Sequence, residues 1–222
     1  MPEPIAPRID IVSDVICPWC YIGKRQLERA LPMLRDQGLE FQVAWHAFQL
    51  NPDMAPEGTD RLSYRIAKFG SLEKSQQLDA HITETAAGLG LDFHLDRLTR
   101  TPNTVAAHRA IWLAGQHGVQ NAVVEALFDA YFRQGADLAD AALLTDIAAA
   151  AGLDRAALEA MYAGNDGRDV VLRSDMAARR GGISGVPSFM MGGYLLFSGA
   201  VPAEQMVQAF VHAWKVLNAQ AA

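Results

Sequence analysis

Residues 14 to 23 read Asp14-Val15-Ile16-Cys17-Pro18-Trp19-Cys20-Tyr21-Ile22-Gly23. They join a β-branched, alternating run, Arg8 to Ser13, to a run from Tyr21 to Gly38 in which Leu27, Leu31 and Leu34 share one helical face. The cysteines therefore stand where a strand hands over to a helix, and the chain has no others. A helix start presents free N–H groups and the positive end of the macrodipole, which stabilise an anion. The thiolate is an anion, and it is the form that attacks disulfides. A spacing of two residues lets the second sulfur reach back to the first. The motif points to thiol–disulfide exchange, with Cys17 as the attacking sulfur at the helix start and Cys20, one turn in and deeper, resolving the mixed disulfide.

Other uses of a lone C-x-x-C need weighing. Half a zinc site requires two more ligands at compatible spacing, and His46, His81, His94, His108, His117 and His212 form no closely spaced pair, so no metal is expected. A structural disulfide would close a loop too small to gain much chain entropy. Two inert buried thiols are a further reading, and Pro18-Trp19 between them argues against it.

Outward from this junction, the 222 residues are 50% hydrophobic, enough for one sizeable core or two small ones. The formal charge is -6 with no block of basic residues, so nucleic acid is not an expected partner. No apolar run approaches the roughly 20 residues that span a bilayer. The segment Met1 to Pro7 lacks the basic and apolar regions of a secretory signal, so a cytoplasmic location is expected, where a redox pair is transient and catalytic.

Glu40 to Phe48 alternates and reads as a second strand, and Asn51 to Thr59 as a loop. Residues 60–165 are rich in alanine and leucine, punctuated by glycine, and show no convincing strand, so the segment is expected to be entirely helical, with five or so helices. Within it Thr101-Pro102 reads as an N-cap and first helical residue, and Asp154 as another cap. Asp169 to Arg180 is a further helix. Ser188 to Met191 and Tyr194 to Phe197 flank Gly192-Gly193 as a hairpin, and Ala203 to Asn218 is a closing amphipathic helix. Trp45, Trp112 and Trp214 read as core. Removing the helical block leaves βαβ-α-ββ-α. The expectation is an α/β chain with residues 1–59 and 166–222 forming one domain and 60–165 inserted as a helical lid over the face carrying Cys17.

That order, with C-x-x-C at a strand–helix junction and Val186-Pro187 before a hairpin, resembles the thioredoxin fold, and the helical insertion resembles its DsbA branch. The stretch 14–23, Phe48-Gln49-Leu50-Asn51-Pro52, Asn103-Thr104 with Ala107-His108-Arg109, and Gly185-Val186-Pro187-Ser188-Phe189 are similar to the cytoplasmic FrnE-type thiol–disulfide oxidoreductases, over nearly the whole chain. The 2-hydroxychromene-2-carboxylate isomerase and kappa-class glutathione transferase group resembles the chain over the same insertion. There a serine stands in place of Cys17 and the second cysteine is absent, so retention of both cysteines favours dithiol chemistry. Glutathione stays open as a co-substrate.

The resemblance implies a cis Val186–Pro187 bond facing the cysteines, with the Val186 N–H and C=O free to pair with an extended substrate. Other site candidates come from the residues themselves. Asp14, three residues before Cys17, could take the Cys20 proton, or be a turn residue. His46 and His108 could approach the sulfurs, or be satisfied core histidines. Asn103 could cap a helix or line the groove. Trp19 is a candidate apolar contact for substrate. The expected groove is apolar, bounded by Cys17, Trp19, Val186-Pro187 and Pro102-Asn103, with Lys68 and Arg109 the basic residues within plausible reach. The expected partners are protein or peptide thiols, and the protein is expected to be a monomer or a homodimer.

Overall fold

The computed structural model describes residues 8–221, so the segment 1–7, read above as no secretory signal, lies outside it. Strand β1 (Arg8–Ser13) runs into helix α1 (Pro18–Arg35) through a short turn, and β2 (Gln42–Ala47) returns parallel to β1. Helix α1 begins at Pro18, three residues before the expected start, because proline fixes φ at a helical value and needs no partner for a missing N–H.

A two-residue strand β3 (Thr59–Asp60) leads into α2 (Arg61–Phe69) and α3 (Leu72–Ala87). After a 3-10 turn at Leu95–Arg97 comes β4 (Arg100–Thr101), then α4 (Val105–Gln116), α5 (Gln120–Phe132), α6 (Ala141–Ala150) and α7 (Arg155–Ala163). Helix α8 (Arg168–Arg180), the hairpin β5 (Ser188–Met191) and β6 (Tyr194–Ser198), and α9 (Ala203–Ala221) complete the chain.

The main sheet has the order β2-β1-β5-β6, with β5 and β6 antiparallel to their neighbours. Its two faces are apolar in alternation, as strand pleating requires. Ile9 and Ile11 lie in the large core with Leu27 and Phe210 of α1 and α9, while Val12 joins Phe48 and Ile183 on the side of α8. The large core continues into the insertion through stacked rings: Tyr21 of α1 lies 5.0 Å from Phe128 of α5, and Phe93 lies 5.0 Å from Phe132. Trp45 is buried with them, whereas Trp112 and Trp214 are only half-buried.

The insertion is not entirely helical. Strands β3 and β4 pair antiparallel, Thr59 opposite Thr101 and Asp60 opposite Arg100. Two-residue arms are too short for alternation to register. Gly58, at φ +71, permits the closure, since a Cβ there would sit 2.5 Å from the Thr101 carbonyl oxygen. The same ribbon consumes Thr101, so α4 starts at Val105 instead of Pro102. Asp154 caps α7 as expected, accepting from Ala157 N–H at 2.8 Å.

Candidate active site at the strand to helix junction

Cys17 occupies the N-cap of α1 in extended conformation, its backbone N–H donating to Asp14 O at 3.0 Å. Its thiol donates to the Val186 carbonyl oxygen at 3.4 Å, and the Val186–Pro187 peptide is cis. Helix α1 approaches that loop closely because residue 23 is glycine: a Cβ there would lie 2.9 Å from the Pro187 ring. The loop is tied down from its other side, where Ser188 Oγ donates to Gly185 O at 2.8 Å and lies 2.6 Å from Ser198 Oγ.

Cys17 and Cys20 are both free thiols, 5% and 0% exposed. Burial pushes the Cys20 thiol well above the ordinary cysteine range, and the neighbouring Cys17 pushes it further. The groups that favour its thiolate are the Ser13 hydroxyl and the Asp14 main chain. Strand alternation makes Ser13, not the adjacent carboxylate, the side chain that reaches this sulfur. Asp14 is fully buried, but its carboxylate accepts from Leu50 N–H at 2.7 Å and lies 3.5 Å from His108 Nε2. Asp14 meets Cys20 through its backbone, and one oxygen of its buried carboxylate, Oδ1, has no hydrogen-bond partner.

Both histidine candidates have hydrogen-bond partners other than the sulfurs. His108 Nε2 donates to Phe48 O at 3.1 Å, and His46 pairs with Asp10 at 2.7 Å. Both line a separate cavity of about 350 Å³ against α4 and α8, and neither lines the cleft that holds Cys17. Strand register places His46 opposite Val12, on the α8 side of the sheet. Burial would raise the Asp10 pKa, but the hydrogen bond and charge of His46, with Arg8, outweigh it and hold the carboxyl below its usual value. Asn103 is also structural: it accepts from Val105 N–H at 3.0 Å and donates to Met54 O at 2.6 Å.

The cleft beside the cysteines holds about 280 Å³. Cys17, Pro18 and Trp19 form one wall, and Trp19 also leans on His81, ring centroids 6.0 Å apart. The opposite wall is α2 and α3, in place of Val186-Pro187 and Pro102-Asn103, and much of the lining is apolar, with Ile16, Leu50, Phe69, Leu78 and Ile82. Arg61, Arg65 and Lys68 line it, with Asp79 accepting from Arg61 at 2.8 Å and pairing with Arg65 at 2.7 Å. Arg109 is not there. Its guanidinium binds the carbonyls of Met161, Gly164 and Asp166 at the end of α7. Residues 61, 65 and 68 follow i, i+4, i+7 spacing, which was the sequence signal for one cationic face. The other nearby cations are neutralised: Lys24 and Arg25 pair with Glu28 and Glu125, and Tyr21 donates to Glu125 at 2.8 Å.

Among the described residues no group of three or more His, Cys, Asp or Glu is placed to hold a metal, and no helix is long and apolar enough to cross a membrane. The arrangement can therefore do dithiol chemistry: an accessible-side sulfur at a helix start, a protonated deeper sulfur one turn on, and a backbone carbonyl facing the first.

Comparison with known proteins agrees with this geometry. The description DSBA-like thioredoxin domain matches residues 8–211. A probable DsbA oxidoreductase from Streptomyces coelicolor superposes with a TM-score of 0.84 at 32% identity, covering 94% of this chain and 90% of that one. A 2-hydroxychromene-2-carboxylate isomerase superposes with a TM-score of 0.66 at 17% identity, covering 97% and 99%. The cytosolic disulfide reductase DsbM from Pseudomonas aeruginosa, with GSH, gives 0.62 at 19% identity, covering 95% and 99%. The latter two share the fold.

Proposed function

The chain belongs to the family of DSBA-like thioredoxin domains, and from that premise we propose that it is a cytoplasmic, FrnE-type thiol–disulfide oxidoreductase or isomerase acting on protein or peptide thiols through Cys17 and Cys20. In the oxidised enzyme a substrate thiolate attacks Cys17 Sγ. The Cys17–Cys20 bond breaks, a substrate–Cys17 disulfide forms, and Cys20 departs as a thiolate that takes up a proton, as its burial favours. A second substrate thiolate then attacks the substrate sulfur of the mixed disulfide and releases Cys17. Two electrons pass from substrate to enzyme; reduction of a substrate disulfide runs the same steps backward. The Val186 carbonyl, 3.4 Å from Cys17 Sγ, supports a role in pairing with the incoming substrate chain. Val186 and Trp19 flank the sulfur as binding residues, and Pro187 holds the loop.

The observation that carries this reading is the pair itself: Cys17 at the N-cap of α1 and Cys20 fully buried one turn later with its thiol strongly held in the protonated form. Insulin reduction and oxidation of reduced ribonuclease, measured with wild type and Cys17→Ser, test it. Both activities should be present and vanish in the variant. Their absence from wild type would reject the proposal.

A second reading, a glutathione-dependent isomerase or transferase of small molecules, is favoured by the Arg61, Arg65 and Lys68 wall, which suits a tripeptide with two carboxylates. Glutathione-dependent isomerisation of an aromatic substrate that survives Cys20→Ser would support it over the first.

A further inference from the structure

The cleft beside Cys17 does not end at α2. Arg61, Arg65 and Asp79 line it, and the same three residues line a wider trough of about 750 Å³ that runs on between α2 and α3 toward Phe93. The cleft alone is at the lower limit of small-ligand pockets, about 300 Å³, whereas the two spaces joined exceed what a tripeptide needs. The trough has apolar edges. Helix α2 has no buried residue, and Leu62 of α2 and Leu72 of α3 stand 52% and 43% exposed along the trough.

Charge is uneven along this path. Where cleft meets trough, Arg61 and Arg65 share one carboxylate, Asp79; Lys68 adds a third cation on the cleft side, and Glu84 and Asp96 lie farther along the trough. The arginine side chains are 15% and 13% exposed, so their charge is poorly screened by water. Lys68 donates to the Tyr64 hydroxyl at 2.6 Å and has no acidic partner among the described ion pairs. Burial lowers the Arg65 pKa, Asp79 opposes that, and the charge of Arg61 adds to the lowering.

Resting on the oxidoreductase reading, we propose that this trough receives an acidic polypeptide segment of the substrate, its carboxylates near the reactive cysteine seated on Arg61, Arg65 and Lys68 and its apolar side chains lying along α2 and α3. The partner is thus a protein thiol in an acidic, partly apolar, extended stretch. The chain as a whole carries a charge of -6, so general attraction would disfavour such a partner and the preference must arise locally.

The test uses oxidised full-length protein and stopped-flow tryptophan fluorescence, which reads reduction through Trp19. Cysteine peptides of equal length, with Asp, Asn or Lys flanking the cysteine, are compared with glutathione, all rates per thiolate. The Asp peptide should react roughly tenfold faster than the Asn peptide, the scale of two or three partly buried charge-assisted contacts. Lys68→Glu and Arg65→Gln should each lower that ratio, whereas Arg155→Gln, on the exposed face of α7, should not. Lys68 is exposed, so its variant keeps the test open if Arg65→Gln fails to fold. Equal rates for Asp and Asn peptides, a ratio indifferent to Lys68→Glu, or glutathione outpacing the Asp peptide would overturn the proposal, the last by assigning the cations to a small thiol. Failure of every thiol to react would reject the oxidoreductase reading itself.

Discussion

Gly23→Ala separates packing from catalysis at this site. Gly23 lies inside α1 at ordinary helical φ, so alanine meets no backbone objection. Its helix propensity gains about 0.8–1.0 kcal/mol over glycine. The new Cβ, however, would stand 2.9 Å from Pro187 Cγ and 3.5 Å from Phe189 Cζ. Carbon atoms prefer a separation of about 3.5–4.0 Å, so the proline ring must retreat by roughly half an ångström. Phe189 is fully buried in the core and cannot follow freely. Overpacking of this kind costs about 1–3 kcal/mol, leaving a net loss of about 0–2 kcal/mol, or a few degrees in Tm for a chain of this size. The retreat carries Val186 with it, away from Cys17 Sγ, where the carbonyl already stands at 3.4 Å. Misplacement by about 1 Å can cost a hundredfold in rate, so half of that should cost roughly tenfold. Insulin-reduction turnover and a urea melt on the same preparation measure both quantities. Undiminished turnover would refute the reasoning, because the Val186–Pro187 loop would then not depend on the close approach of α1. A melt showing a loss far beyond 3 kcal/mol would refute it differently, by making the effect one of global packing.

Cys20→Ser should trap a substrate–Cys17 mixed disulfide visible on a non-reducing gel, while Cys17→Ser should trap none; adducts in both would remove the assigned order of attack. Ser13→Ala takes away the hydroxyl that favours the Cys20 thiolate, so exchange should slow at neutral pH and the mixed disulfide should persist longer in a quench time course. The reduced protein should lose stability as pH rises through the ordinary thiol range, about 8.5: Cys20 is raised when folded, so the unfolded chain sheds that proton first and unfolding is favoured. Urea midpoints from pH 7.5 to 9.5 should fall more steeply for reduced wild type than for Cys20→Ala, and parallel curves would contradict the burial argument. Gly58→Ala combines a φ of +71 with a 2.5 Å approach to Thr101 O. It should open the β3–β4 ribbon and speed amide exchange at Thr59 and Thr101, with little change in the exchange of β1.

Much of the architecture was legible before any coordinate. Alternation and helical spacing belong to consecutive residues, so β1, the hairpin around Gly192-Gly193 and the helices α8 and α9 emerge close to their observed bounds. The cysteine pair was legible for the same reason, since Cys17 and Cys20 are neighbours in sequence as well as in space. Contacts between distant segments were not. The Ser13 side chain rather than the Asp14 carboxylate meets Cys20, because that depends on which face of β1 lies under α1. Lys24 is silenced by Glu125, 101 residues away, and Arg109 is spent on the end of α7. Arg61 and Arg65 share a cleft with Cys17 because α2 follows a ribbon too short to leave a periodic trace. Chain order alone decides where thiols and turns can lie; the charge felt at a sulfur falls with distance through a poorly screening interior, and those distances are set by how the insertion packs against α1.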